Sequence, residues 1–175
     1  MKHFIHHLSL WLIIFLFAFY GYSDAGNVSG GLPERIFLEG AYFNIAILYF
    51  QRAKDALTAE EFDHHMNETK MKSQASDYLR EKLPSFKQLP LTKEVARLLI
   101  FIEAEADDKN CYVNVDSVVK RLFRHEGVDG SYHYWNYHGW SSSSREDVYT
   151  LVEEGLKEAL DSFVLEYENS VNKPI

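Results

Sequence analysis

The segment 34–57 constrains the fold of this chain more than any other part of the sequence, because apolar side chains occupy most of its positions. A helix built from it would be apolar on nearly every side and would have to lie at the centre of a bundle. Pro33 precedes the segment, and proline suits the first turn of a helix. We therefore predict a buried first helix from Glu34 to about Leu57. Its apolar residues include Ile36, Phe37, Phe43, Ile45, Ile47, Leu48, Tyr49, Phe50, Ala53 and Leu57.

Capping signals predict two further helices. Thr58-Ala59-Glu60-Glu61 has the form of a capping box, in which the threonine and glutamate side chains each accept from the other residue's backbone N–H. The helix that follows extends to about Lys82, and its face carries few large apolar groups, which indicates a peripheral position. Thr92 can cap a third helix that ends near Ala106. Because this helix is apolar all round, we expect it to be a second central element.

A short fourth helix is predicted between the third helix and the aromatic part of the chain. Asn114 or Asp116 can cap it, and Gly127 can end it, since glycine adopts the backbone conformation that closes many helices. A brief strand over Tyr112 to Val115 is the alternative for the first part of this region. We favour the helix.

The last predicted helix has the most regular pattern. Ser143-Ser144-Arg145-Glu146 offers a second capping box, and apolar residues then recur at helical spacing. They are Val148, Leu151, Val152, Gly155, Leu156, Ala159, Leu160, Phe163 and Tyr167. The outer face is acidic, with Glu146, Asp147, Glu153, Glu154, Glu158, Asp161, Glu166 and Glu168. Together the patterns predict an all-α, single-domain bundle of about five helices over residues 34–170, followed by a tail, 171–175.

The N-terminal residues 1–25 resemble a secretory signal peptide. Lys2 precedes an apolar run from Leu8 to Tyr22, and small residues stand near Ala25, where cleavage is expected. A flexible lead-in, 26–33, would follow, and the mature protein would be periplasmic or extracellular. An uncleaved membrane anchor is the alternative, although the run is shorter than the roughly 20 residues that span a bilayer. After cleavage we expect no membrane association.

The net charge and the cysteine content limit which partners and which covalent cross-links this chain can have. The chain of 175 residues has a formal net charge of −8, which opposes binding to nucleic acid and to anionic lipid surfaces. A basic protein or peptide is the partner that this charge favours. Cys111 is the only cysteine, so the fold has no internal disulfide, and we expect a buried thiol.

An aromatic segment before the last helix is the main candidate for function. Aromatic residues with a polar handle are favoured at recognition surfaces because they offer a large rigid area at little entropic cost. We predict a loop here that, together with the acidic last helix, forms the surface of a non-enzymatic binding or inhibitor-type module. A structural lid over the core, or a glycan-binding site, is the alternative use of the same rings. The predicted binding residues are Tyr132, Tyr134, Trp135, Tyr137, His138 and Trp140.

An enzyme is the alternative function. A small hydrolase or metal-dependent enzyme could use His133 and His138 with Glu61 or His64, because Glu61 and His64 have the i, i+3 spacing of a di-iron ligand pair. Only one such pair exists, and Asp63, His64 and His65 lack a further ligand at fixed spacing. The common catalytic signatures are absent from the sequence. We therefore assign no catalytic residue, no metal ligand and no cofactor.

Overall fold

The computed structural model describes residues 40–92, 95–125 and 128–171, with only the backbone described for 123–125, 128–129, Tyr132 and Val171. The predicted signal peptide, 1–25, and the lead-in, 26–33, lie outside these residues. The predicted all-α bundle is wrong, because four of the elements are strands. The elements are β1 (Tyr42–Gln51), α1 (Ala59–His65), α2 (Glu68–Lys82), β2 (Arg97–Ala106), β3 (Asn110–His125), β4 (Val128–Ser144) and α3 (Val148–Val171), with a 3-10 turn (Arg145–Asp147) before α3.

The strands form one mixed sheet in the order β1-β2-β3-β4. β1 and β2 are parallel, and α1 and α2 form the crossover between them, whereas β3 and β4 follow in antiparallel pairing. α2 packs against β1, α3 packs against β2, β3 and β4, and the two helices contact each other. Both helices therefore lie on one side of the sheet. We call this side the covered face and the opposite side the open face.

The predicted first helix is wrong because the central part of its apolar run, Tyr42–Gln51, forms β1. Phe43 and Ile45 are buried on the covered face, while Leu48 lies on the open face and is exposed. A strand with apolar side chains on both faces has the same continuous apolar run as a buried helix, so periodicity does not distinguish the two. Parallel pairing with β2 takes the backbone groups on one side of this strand, and on the other side the Ile47 N–H donates to the Glu68 carboxylate at 3.0 Å.

The predicted third and fourth helices are wrong for a related reason. β2 alternates, burying Leu98, Ile100, Ile102, Ala104 and Ala106 while the residues between them turn to the other face. This period of two is that of a strand, although the leucine-rich start of the segment obscures it. The fourth predicted helix falls within β3. The alternative of a strand at Tyr112 to Val115 was correct, although the strand is longer and extends from Asn110 to His125.

The capping box at the start of α1 is confirmed. The Thr58 hydroxyl accepts from the Glu61 N–H at 3.2 Å, and the Glu61 carboxylate accepts from the Thr58 N–H at 2.8 Å. The predicted single helix to Lys82 is nevertheless interrupted. Asn67 accepts from the Lys70 N–H at 3.0 Å and caps a second helix, α2, so α1 ends at His65.

The apolar face of the last helix is buried as its spacing predicts. α3 buries Val148, Val152, Leu156, Ala159, Leu160, Phe163 and Tyr167 against the covered face. The predicted capping box is replaced by the 3-10 turn, in which Asp147 accepts from Ser143 and Ser144 at 2.8 and 2.6 Å. Gly155 allows α3 to approach β3 closely, since a Cβ at this position would lie 2.7 Å from a methyl carbon of Val115.

A hydrogen bond between α2 and α3 makes stability depend on pH. The Tyr78 hydroxyl donates to Asp161, which raises the pKa of Tyr78 to about 12. Hydrogen bonds from Lys157 and then from Tyr78 lower the pKa of Asp161. A carboxyl whose pKa is lower in the folded protein stabilises the fold above its unfolded pKa, and this stability is lost as pH falls through the folded pKa.

We therefore expect Asp161→Asn to lower the free energy of unfolding at neutral pH and to have little effect in acid. The loss should be about 1 kcal/mol, because Asp161 is partly exposed and solvent screens the interaction. Urea unfolding of both proteins from pH 7 downward measures the difference. Tyr78→Phe is the matched variant, and its difference from wild type should shrink over the same acidic range. A constant difference at every pH would contradict the assignment.

Candidate functional site

The predicted aromatic loop is a strand, and the alternation of β4 divides its side chains between the two faces of the sheet. Val119 pairs with Trp135, Ser117 with Tyr137 and Val115 with Gly139, which places these residues of β4 on the covered face. The intervening residues, Asn136, His138 and Trp140, lie on the open face. Two predicted binding residues stand apart from this pattern. Tyr134, beside a β-bulge, packs partly buried against the core, and Tyr132 is described only by its backbone pairing with Arg121.

The covered half of the segment belongs to the core. The Trp135 ring meets the Phe163 ring edge to face at a centroid distance of 5.7 Å. The Tyr137 hydroxyl donates to Glu158 of α3 at 3.2 Å, and burial together with this bond raises the pKa of Tyr137. Gly139 gives room to the Tyr137 ring, since a Cβ there would lie 2.5 Å from the Tyr137 hydroxyl oxygen. Trp135 and Tyr137 therefore pack against the core, which is the structural role that the sequence offered as the alternative to binding.

The open half is solvent-facing and held by side chains of β3. Trp140 is 65% exposed, although it lies within a regular strand, and its ring stacks beside Tyr112 at 6.4 Å. The guanidinium of Arg52 lies 5.5 Å from the centroid of the Tyr112 ring. Next along the strand, His138 Nδ1 is 2.8 Å from a carboxylate oxygen of Asp116. These contacts hold rings and polar groups in place before any partner arrives.

Two further exposed apolar side chains lie on the open face, Leu48 of β1 and Phe101 of β2. Strand register places Leu48, Glu103, Asn114 and Trp140 in one row across the open face. Phe101 lies in the adjacent row, and Leu48 and Phe101 are 45% and 42% exposed. Glu103 and Asn114 stand between Leu48 and Trp140 in this row, so the exposed apolar residues of the open face are separated by polar ones. The exposure of Leu48 and Phe101 was not predicted from the sequence, because the patterns around both residues indicated buried helices.

The charges on the open face are segregated along the strands. Carboxylates of Glu103, Glu105 and Asp116 occur in the rows near Trp140, where Arg52 pairs with Glu105, whereas Arg97 and Lys120 share a row at the other end of the sheet. Burial, with the charge of Arg97, lowers the pKa of Lys120. The acidic end is therefore also the aromatic end, and an approaching cation is favoured there.

The acidic face of α3 and the open face lie on opposite sides of the molecule, because α3 packs on the covered face. The predicted surface that combined them is thus divided by the sheet, and the two parts meet only along the edge of β4. Some of the carboxylates also have internal partners. Asp147 holds the 3-10 turn, Asp161 binds Tyr78 and Lys157, and Glu158 accepts from Tyr137.

The residues proposed for a metal-dependent enzyme are not brought together. Among the residues that the structure describes, no group of three or more His, Cys, Asp or Glu side chains is placed to hold a metal ion. Glu61 is engaged in the α1 cap, and hydrogen bonds from Thr58 lower its pKa. The His64 and His65 rings contact each other at 5.4 Å, and His65 also lies 5.0 Å from Tyr149. The enzyme alternative therefore loses its geometric support.

Cys111 is not placed for nucleophilic chemistry. It is buried at the start of β3, and its thiol donates to the Ser144 carbonyl at 3.0 Å. Burial raises the pKa of the thiol, which opposes formation of the thiolate nucleophile.

Comparison of the sequence with known protein families and with curated proteins finds no match. One solved structure, titled only as an uncharacterized protein, aligns over 78% of this chain and 93% of its own length. Its sequence identity is 12% and its TM-score is 0.30, so it supports no conclusion about fold or function.

Proposed function

We propose that this chain is a non-enzymatic binding module that holds a segment of another protein at the aromatic end of its sheet. The exposure of Trp140 carries the proposal. An indole ring two-thirds exposed in the middle of a strand leaves a large apolar area in water, and binding a partner removes it. Tryptophan and tyrosine are the residues that most often dominate binding energy at interfaces.

Prior ordering of the surface supports binding by a preformed site. Tyr112 stacks beside Trp140, Arg52 lies over Tyr112, and Asp116 holds His138. Side chains that are already fixed lose little rotamer freedom when a partner binds, so more of the contact energy contributes to affinity.

The charge of this region supports a basic partner. Three carboxylates, Glu103, Glu105 and Asp116, lie on the open face near Trp140 and outnumber Arg52, which pairs with Glu105. The whole chain has a formal net charge of −8. Complementary charge accelerates encounter and favours one orientation of the partner.

We also propose that the module acts outside the cytoplasm. The proposal rests on the sequence of residues 1–25, which lie outside the described part of the chain. Within the described part, no helix is long and apolar enough to cross a membrane.

Selection from a random peptide library on the immobilised protein tests the binding proposal. We expect peptides enriched in lysine and arginine, and Trp140→Ala should weaken their binding by about thirtyfold, the loss typical of a truncated hot-spot residue. Leu165→Ala is the matched control, because Leu165 is 61% exposed but lies on α3. It should leave affinity unchanged. Selected peptides that bind equally to both variants would contradict a site at Trp140.

A further inference from the structure

The outer edge of β4 is available for another strand. β4 is the last strand in the sheet order, so no described residue pairs along its far side. The Arg145 N–H donates to the Lys109 carbonyl at 3.1 Å, which fixes the direction of the backbone groups at the end of the β3–β4 pair. Because this direction alternates along a strand, the outward N–H and C=O groups belong to Asn136, His138, Trp140 and Ser142.

A cleft runs between this edge and α3. Tyr137, Gly139 and Ser141 line it from the strand, and Glu154 and Glu158 line it from the helix. Both glutamates are exposed and lie one turn apart, so their carboxylates face the same stretch of the edge. The Tyr137 ring lies against Gly139, so the cleft is shallow, with a volume of about 40 Å³. The acidic helix and the aromatic strand, which the sheet otherwise separates, meet here.

We propose that an extended basic segment of a partner protein adds to β4 as a fifth strand. Its residues alternate between the two faces, as in any strand. Lysine or arginine side chains on one face lie over the rim of the cleft, where their cationic groups pair with the exposed carboxylates of Glu154 and Glu158. Apolar side chains on the other face lie beside Trp140. This inference rests on the proposed binding function and specifies its geometry and the chemistry of its partner.

The sequence of the edge supports use of this strand in binding. Proteins usually protect exposed edge strands with lysine, proline or inward-pointing charges. The stretch Asn136–Ser142 has none of these and carries aromatic side chains instead. Strand addition takes affinity from main-chain hydrogen bonds and specificity from pockets for alternate side chains. The edge of β4 supplies the main-chain hydrogen bonds, and the cleft together with Trp140 supplies the contacts that select the partner's side chains.

Charge favours a different protein over a second copy of this chain. The stretch Asn136–Ser142 contains no lysine or arginine to pair with Glu154 and Glu158 of another copy. Two copies paired through β4 would also bring their α3 carboxylates together, and each copy has a formal net charge of −8. Like charges at that distance oppose association.

A designed peptide tests the proposal on the full chain. The probe has about seven residues, the length of the stretch it would cover, and alternates lysine with valine; a second peptide has glutamate in place of lysine. We expect fluorescence anisotropy to show that the lysine peptide binds at least tenfold more tightly. Glu154→Gln with Glu158→Gln should weaken binding about tenfold and reduce its dependence on salt, because the ion pairs are removed.

Main-chain pairing is tested separately from side-chain contact. Two versions of the lysine peptide carry N-methyl groups on alternate residues, one set facing β4 and the other facing solvent. Only the first set should abolish binding. Ser142→Pro should have the same effect, since it removes an outward donor and leaves the bonds to β3.

Equal binding of both methylated peptides would overturn strand addition, while the Trp140 dependence of library peptides would still stand. The proposal of a basic partner would be wrong if the protein failed to bind the lysine peptide and instead formed a dimer that Ser142→Pro dissociates. In that case the edge of β4 would pair with a second copy of the chain.

Discussion

Replacing Gly40 with alanine is expected to lower the free energy of unfolding by about 3 kcal/mol. Gly40 has φ of +92°, a conformation that costs a residue with a side chain on the order of 1–3 kcal/mol. The added Cβ would also lie 2.0 Å from the Lys87 carbonyl oxygen. That carbonyl accepts from the Ala41 N–H at 3.0 Å, so the clash would displace the chain that borders the start of β1.

Urea unfolding followed by circular dichroism measures the loss. Gly139→Ala is the matched control, because there the new Cβ meets the far end of the Tyr137 side chain, which can move, and not a backbone atom. Its effect should stay below about 1 kcal/mol. Equal stability of the Gly40 variant and wild type would show that the chain does not adopt this turn.

Local sequence signals were sufficient to predict the start of α1 and the buried face of α3, because both features depend on contacts within a single helix. The Thr58 capping box marks the start of α1, and the spacing from Val148 to Tyr167 identifies the buried face of α3. Both signals depend on residues within one or two turns of each other. The neighbouring cap at Asn67, which begins α2, was missed because one continuous helix was predicted through it, although Met71, Ala75 and Leu79 follow the cap at a spacing of four and are buried.

The strands depend on partners that lie far away along the chain. β1 pairs with β2 across a crossover that contains two helices, so nothing within the segment 42–51 identifies its partner. Its apolar residues fall on both faces, which hides the period of two. The same ambiguity made β2 resemble a central helix. A one-residue alternation involving Glu103 and Glu105 near the end of β2 is the local signal that could have indicated a strand.

The aromatic segment was identified from composition, but its geometry followed from pairing. As a loop, all six predicted side chains could share one surface. As a strand beside β3, Trp135 and Tyr137 turn to the core while His138 and Trp140 turn to solvent. Composition identifies residues that can bind, whereas register decides which of them face a partner.

Phe163→Ala is expected to lower the free energy of unfolding by about 4 kcal/mol. Phe163 is fully buried, and its ring contacts Trp135 at 5.7 Å, Phe86 at 5.7 Å and Tyr167 at 6.2 Å. Truncating a buried phenylalanine leaves a cavity as well as losing the transfer free energy of the ring, typically about 3–5 kcal/mol. The cavity would open between α3 and the covered side of β4.

Leu165→Ala provides the control for this change, because Leu165 lies two residues along the same helix with 61% of its surface exposed. It should change the free energy of unfolding by less than about 0.5 kcal/mol. Trp140→Ala should also leave stability nearly unchanged, since most of that ring is already in water. Urea unfolding of the three variants distinguishes core aromatic residues from surface ones. Similar losses for Phe163→Ala and Trp140→Ala would mean that Trp140 is part of the core, and the binding proposal would then lose its main support.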